Sequence, residues 1–125
     1  MKRVLCILFA ALPLLGQVNA KSAALSTAHP LATRAGLKVL QQGGTAADAA
    51  VAVAFVLAVV HPQAGNLGGG GFLVYYDAKT RGIWTLDFRE TAPREAVRGM
   101  FDKFPAAGAR AAGVPGTVAG LDALH

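Results

Sequence analysis

From Ala49 to Val60 every side chain is apolar: Ala-Ala-Val-Ala-Val-Ala-Phe-Val-Leu-Ala-Val-Val. The β-branched content admits a strand, but length, alanine content and a start signal favour a helix. Thr45, with Asp48 three residues on, forms a capping-box-like pair. His61-Pro62 ends the element, because proline disfavours helical geometry in the residue before it. The run falls short of the about 20 residues that a membrane-spanning helix needs. A helix without a polar face has to be covered by protein on all sides. The rest of the fold must therefore be arranged around this one element.

Residues 31–42 read as an amphipathic helix in front of it. Arg34, Lys38, Gln41 and Gln42 make a polar stripe, while Leu31, Ala35 and Val39, with Leu37 and Leu40, supply the buried side. Pro30 suits the first helical position, and Gly43-Gly44 accepts the positive φ of a helix end. Behind the core helix, residues 63–71 form a glycine-rich loop. Residues 72–76 and 83–88 read as two strands, joined by the polar connection at 77–82. Trp84, Leu86 and Phe88 share one face of the second strand, and Ile83, Thr85 and Asp87 the other. Residues 94–101 are expected to form a short surface helix and 103–112 a loop. Gly113-Val114-Pro115-Gly116 is expected to turn, with Thr117 capping a further helix that is cut off at His125.

The class is α+β, and the pattern is that of an incomplete domain. A two-stranded hairpin is marginal in water by itself. Each large apolar side chain left uncovered forgoes about 1.5–3 kcal/mol, against a typical total stability of about 5–15 kcal/mol. The missing partners have to come from further sequence or from another chain.

At 125 residues the chain is at most one small domain. Residues 1–20 carry the features of a cleaved signal peptide: Lys2-Arg3, an apolar stretch at 4–16 and Val18-Asn19-Ala20 before the expected cut. A short membrane anchor is the alternative, but the stretch is too short to span. An exported chain of this kind would be periplasmic or secreted. The single cysteine, Cys6, lies in this segment, which excludes disulfides and thiolate chemistry from 21–125. From Lys21 onward ten basic residues face seven acidic ones, a net charge of +3. They are scattered, with no basic run and no aromatic interleaving, so nucleic acid is not an expected partner. His29, His61 and His125 lack metal-ligand spacing, and no metal or other cofactor is expected. The Gly68 to Gly71 run is followed by neither Gly-Lys-Ser/Thr nor a helix-opening Gly-x-Gly-x-x-Gly, and it leads into a strand. A structural role follows: it allows the core helix and the sheet to approach closely.

Arg89 is the candidate site residue. It stands at the exit of the second strand, in Asp87-Phe88-Arg89-Glu90-Thr91-Ala92-Pro93. A guanidinium is permanently charged, planar and able to give a carboxylate two parallel hydrogen bonds. From the residues alone, Arg89 either binds such a ligand or neutralises Glu90 or Asp87. Glu90 suits orientation of Arg89 better than acid catalysis, since no second carboxylate is spaced to pair with it.

Read in order, that motif, Asn66-Leu67-Gly68-Gly69-Gly70-Gly71-Phe72, His29-Pro30-Leu31-Ala32, Gln42-Gly43-Gly44, Asp48-Ala49-Ala50-Val51-Ala52, His61-Pro62-Gln63 and Gly113-Val114-Pro115-Gly116-Thr117-Val118-Ala119-Gly120 resemble the γ-glutamyltransferases (glutathione hydrolases). The likeness runs from about Leu25 to His125; the segment 104–112 departs from it by being shorter. It implies the αββα sandwich of N-terminal-nucleophile hydrolases, of which 21–125 would be the N-terminal portion of the large subunit. It also implies a precursor that cleaves itself into two subunits. The new N-terminal threonine takes the γ-glutamyl group from glutathione and passes it to water, an amino acid or a peptide. Arg89 would grip the α-carboxylate of that group. The partners implied are glutathione and other γ-glutamyl compounds, the acceptors, the rest of the large subunit and the small subunit. No catalytic residue is expected in this chain, because the nucleophile of the family lies beyond the position of His125. Thr27 is not a substitute, since it would be internal and Leu31 stands where the self-cleavage motif has a hydroxyl residue. Two rivals remain: a β-lactam acylase of the same fold, and a non-catalytic periplasmic binding protein.

Overall fold

A computed structural model describes residues 20, 22–102 and 107–125; the expected signal peptide, apart from Ala20, lies outside them. Helix α1 spans Pro30–Gln41, with proline in its first turn and His29 as N-cap, whose Nδ1 accepts from the Leu31 N–H at 3.2 Å. Its end is closed by Gly43, at φ +88°, and by the Gly44 N–H donating to the Val39 carbonyl at 3.0 Å. Helix α2, Ala46–Val60, begins with the expected capping box. The Thr45 N–H donates to Asp48 Oδ2 at 2.8 Å, and the Asp48 N–H to Thr45 Oγ1 at 3.2 Å. His61 closes it, its N–H reaching the Leu57 carbonyl.

The two helices pack along each other through their smallest residues. Ala32 and Gly36 are the buried positions of α1, facing Ala49 and Val53 of α2. A methyl group at Gly36 would collide with the side chains of Leu25 and Val53. This corrects the expected buried side in part: Ala35, Val39 and Leu40 are half-buried, but Leu31 and Leu37 are exposed, because the contact line runs through Ala32 and Gly36. The polar stripe of Arg34, Lys38 and Gln41 is exposed as expected.

Strands β1 (Phe72–Asp77) and β2 (Gly82–Asp87) form an antiparallel pair with Phe72 opposite Asp87 and Tyr75 opposite Trp84. Asp77 organises the connection, accepting from the Lys79 N–H at 2.9 Å and the Thr80 hydroxyl at 2.8 Å. The register places Leu73, Tyr75, Trp84 and Leu86 on one face. That face lines a groove of about 490 Å³ with Thr45 and Ala47 near the start of α2, and with Leu124 and His125. Phe72, Val74, Tyr76 and Ile83 lie on the opposite face and are exposed.

Three expectations downstream are corrected. Residues 94–101 form successive turns and no helix, with Gly99 at φ +79° interrupting the regular backbone. Within the expected loop, Gly108–Ala111 is a short 3-10 helix, while 103–106 lie outside the described residues. Helix α3 is Thr117–Leu124, and its N-cap is Gly116. Thr117 does not cap it, because its hydroxyl donates instead to the Asn66 carbonyl at 3.1 Å.

The buried hydrophobic residues among those described are Ala32, Ala49, Val53 and Leu121. Phe55 and Val59 of α2 stay exposed, Val59 at 78%. The described residues thus leave the apolar helix partly uncovered.

Candidate anion-binding site at the strand exit

Arg89 lies two residues beyond β2, on a stretch of backbone fixed from three sides. From below, the Phe88 N–H donates to the Gly71 carbonyl at 3.0 Å, adding one bond past the end of the strand ladder. Ahead, Thr91 and Val114 form an isolated antiparallel bridge, with N–H···O distances of 3.2 and 2.8 Å. Within the turn itself, Asp87 Oδ1 accepts from the Arg89 N–H at 3.0 Å.

Glycines make this clasp possible. A methyl group at Gly70 would lie 2.5 Å from the Phe88 carbonyl oxygen and 2.6 Å from the Arg89 Cα. At Gly116 it would strike the same carbonyl, and at Gly120 the ring of Phe88. The loop and the turn are also joined directly, since the Gly116 and Thr117 N–H groups donate to the Gly69 carbonyl at 2.8 and 3.0 Å. The glycine run is therefore structural, as expected, but its close approach is to the strand exit. Contact with the core helix falls to Gly65, whose added Cβ would lie 2.9 Å from the Leu57 backbone. Residues 68–71 have no positive φ, so what they supply is space and not unusual backbone geometry.

The Arg89 side chain is 65% exposed. Its Nε lies 4.0 Å from Glu90 Oε2, the outer limit of an ion pair, and its Cζ sits over the Phe72 ring, 5.8 Å from the centroid. Such an exposed pair contributes little, about 0–1 kcal/mol. Of the two neutralising partners left open by the sequence, Asp87 engages the Arg89 backbone and not its guanidinium, and Glu90 engages it only at long range. The arrangement is a held backbone that presents an exposed guanidinium, with its hydrogen-bond donors facing outward.

The other residues singled out lie elsewhere. The Thr27 hydroxyl donates to the His29 carbonyl at 3.0 Å and is 2.8 Å from the Thr33 hydroxyl, so it is engaged at the start of α1. His61 Nδ1 is 2.8 Å from Gln63 Nε2, and His125 is 3.7 Å from Asp48. Among the described residues no group of three or more His, Cys, Asp or Glu could hold a metal ion. Nor is any helix there long and apolar enough to cross a membrane. Sequence reasoning missed Phe72 as a neighbour of Arg89; the register that pairs Phe72 with Asp87 is the signal that could have found it.

The helices and hairpin correspond to part of the αββα sandwich of the N-terminal-nucleophile hydrolases. Residues 32–125 match the family model described as Gamma-glutamyltranspeptidase, and the chain belongs to that family. It is 46% identical over 112 residues to the glutathione hydrolase proenzyme of Escherichia coli (strain K12), covering 83% of this chain and 19% of that protein. Among solved structures, the Helicobacter pylori γ-glutamyltranspeptidase superposes with a TM-score of 0.80 at 52% identity, covering 86% of this chain and 33% of that one. The enzyme from Pseudomonas nitroreducens, complexed with L-DON, gives a TM-score of 0.78 at 41% identity over 86% of this chain and 34% of that one. The chain spans about a fifth of the length of the curated relatives it matches.

Proposed function

We propose that this sequence is the N-terminal portion of the large subunit of a glutathione hydrolase, and that Arg89 binds the α-carboxylate of the γ-glutamyl group. The observation that carries the reading is the Arg89 guanidinium itself, exposed on a backbone held by the glycine loop and the 113–116 turn. Holding the backbone reduces the ordering needed when a ligand arrives, and a bidentate pair of charge-assisted bonds then orients the substrate. Membership of the family and the name of the Escherichia coli relative support the substrate class. The word proenzyme in that name supports a precursor cut into large and small subunits.

In this reading an N-terminal threonine hydroxyl attacks the γ-carbonyl while its own α-amine accepts the proton. The γ-glutamyl amide bond breaks, the departing amine takes up a proton, and an ester to threonine forms. Water, an amino acid or a peptide then attacks the ester and restores the hydroxyl. Arg89 touches the far end of the substrate, so its work is binding and orientation.

The test uses the full-length protein carrying this sequence and a chromogenic γ-glutamyl anilide. Hydrogen bonds to charged groups contribute about 1.5–3 kcal/mol each, so Arg89→Lys should lower kcat/KM about tenfold or more, and Arg89→Ala further. Autocleavage should be unaffected. Variants that process normally and keep wild-type kcat/KM would reduce Arg89 to a structural partner of Glu90.

Export belongs to the same proposal. N-terminal sequencing of the mature protein should begin at Lys21, whereas cytoplasmic protein with Met1 intact would contradict a signal peptide over residues 1–20.

A further inference from the structure

We infer that Phe72 is a positioning residue that holds the Arg89 guanidinium ready for a carboxylate; the inference rests on the binding role proposed for Arg89. The residue pairs with Asp87 across the hairpin, and paired residues of an antiparallel ladder project to the same face. Arg89 is two positions after Asp87 and comes back over that face, where its Cζ lies above the Phe72 ring at 5.8 Å from the centroid. That separation is within the about 6 Å over which a ring's negative face attracts a cation. The bond from the Phe88 N–H to the Gly71 carbonyl, 3.0 Å long, keeps the two strands together just where the pair forms.

Phe72 is 69% exposed among the described residues, which leaves its ring face open to the guanidinium. A ring under the guanidinium leaves its in-plane N–H donors available, which are the ones a carboxylate uses. It also restricts a long side chain that would otherwise lose rotamer freedom on binding. Glu90 stays 4.0 Å from the Nε, beyond hydrogen-bonding distance, and so does not use up the paired donor geometry.

The experiment uses the full-length protein and two γ-glutamyl substrates, one with a free α-carboxylate and one with an α-amide. Phe72→Leu should raise KM for the carboxylate substrate about two- to fivefold, the range of an exposed cation–π pair. The change should fall on KM more than on kcat, leave the amide substrate unaffected, and be rescued by Phe72→Tyr and Phe72→Trp. Should Phe72→Leu fail to process, replacing Phe72 with successively more fluorinated phenylalanines keeps the shape while weakening the ring's negative face. KM for the carboxylate substrate should then climb step by step. A flat fluorination series, or a Phe72→Leu effect equal on both substrates, would overturn the role of Phe72. Arg89→Lys, measured alongside, separates the two readings. If it loses the carboxylate preference while the fluorinated series stays flat, Arg89 binds substrate and Phe72 does not position it. If Arg89→Lys keeps that preference, both readings fall.

Discussion

Gly68 and Gly70 are chemically identical and two positions apart, yet a methyl group would meet very different surroundings at each. At Gly68 the nearest atom is Asn66 Oδ1, 3.9 Å away, whereas at Gly70 the backbone of Phe88 and Arg89 stands within 2.6 Å. Backbone cannot swing aside as a flexible side chain can. In the full-length protein Gly70→Ala should therefore destabilise by about 1–3 kcal/mol, the usual penalty of overpacking. Displacing Arg89, it should also raise KM. Gly68→Ala should stay within about 0.5 kcal/mol of wild type. Thermal unfolding and substrate kinetics of the two variants check this, and equal behaviour would mean that the loop does not clasp the strand exit. The sequence marked the glycine run as a place of close approach between core helix and sheet, whereas the structure puts that approach at the strand exit. A string of glycines states that space is needed, and only tertiary structure states what fills it. Gly116 and Gly120 show the same limit, since both accommodate Phe88 from a segment distant in sequence.

At the scale of elements, the helix-end signals that rest on local interactions were read correctly, while the short helix expected at 94–101 is a series of turns. The Thr45–Asp48 capping box, Pro30 in the first turn of α1 and the glycine end of that helix each depend on residues a few positions apart. Thr117 misled because its hydroxyl is taken by Asn66, a partner 51 positions away. The capping box gives a pH test. Donation from the Thr45 N–H, then from its hydroxyl, lowers the Asp48 pKa from its ordinary value. A carboxyl whose pKa is lower in the folded state stabilises fully above the unfolded value, about 3.9 for Asp, and loses that contribution as pH falls through the folded value. The start of α2 should thus weaken in acid, and Asp48→Asn should remove this part of the pH dependence. Hydrogen exchange of the first-turn amides, followed against pH in both proteins, measures it. At neutral pH Thr45→Ala should cost about 1 kcal/mol, as loss of an N-cap usually does.

For the whole molecule, the apolar run at 49–60 and the lone hairpin already indicated missing cover. The structure gives that indication residues: Val59, Val74, Ile83 and Trp84 are all more than half exposed. Residues 21–125 expressed alone should therefore show no cooperative, reversible melt by circular dichroism, and a sharp two-state transition would contradict the incomplete core. The candidate site was legible to the extent that one motif carries it. Arg89 was identifiable from its seven-residue context, while the ring beneath it depends on strand register and the clasp around it on three separated segments. That Arg89 receives the substrate carboxylate is tested most directly by comparing α-carboxylate and α-amide γ-glutamyl substrates on fully processed enzyme. Wild type should prefer the carboxylate by about tenfold or more in kcat/KM, and Arg89→Ala should lose most of that preference. An undiminished preference in correctly processed Arg89→Ala would place the carboxylate against some other group.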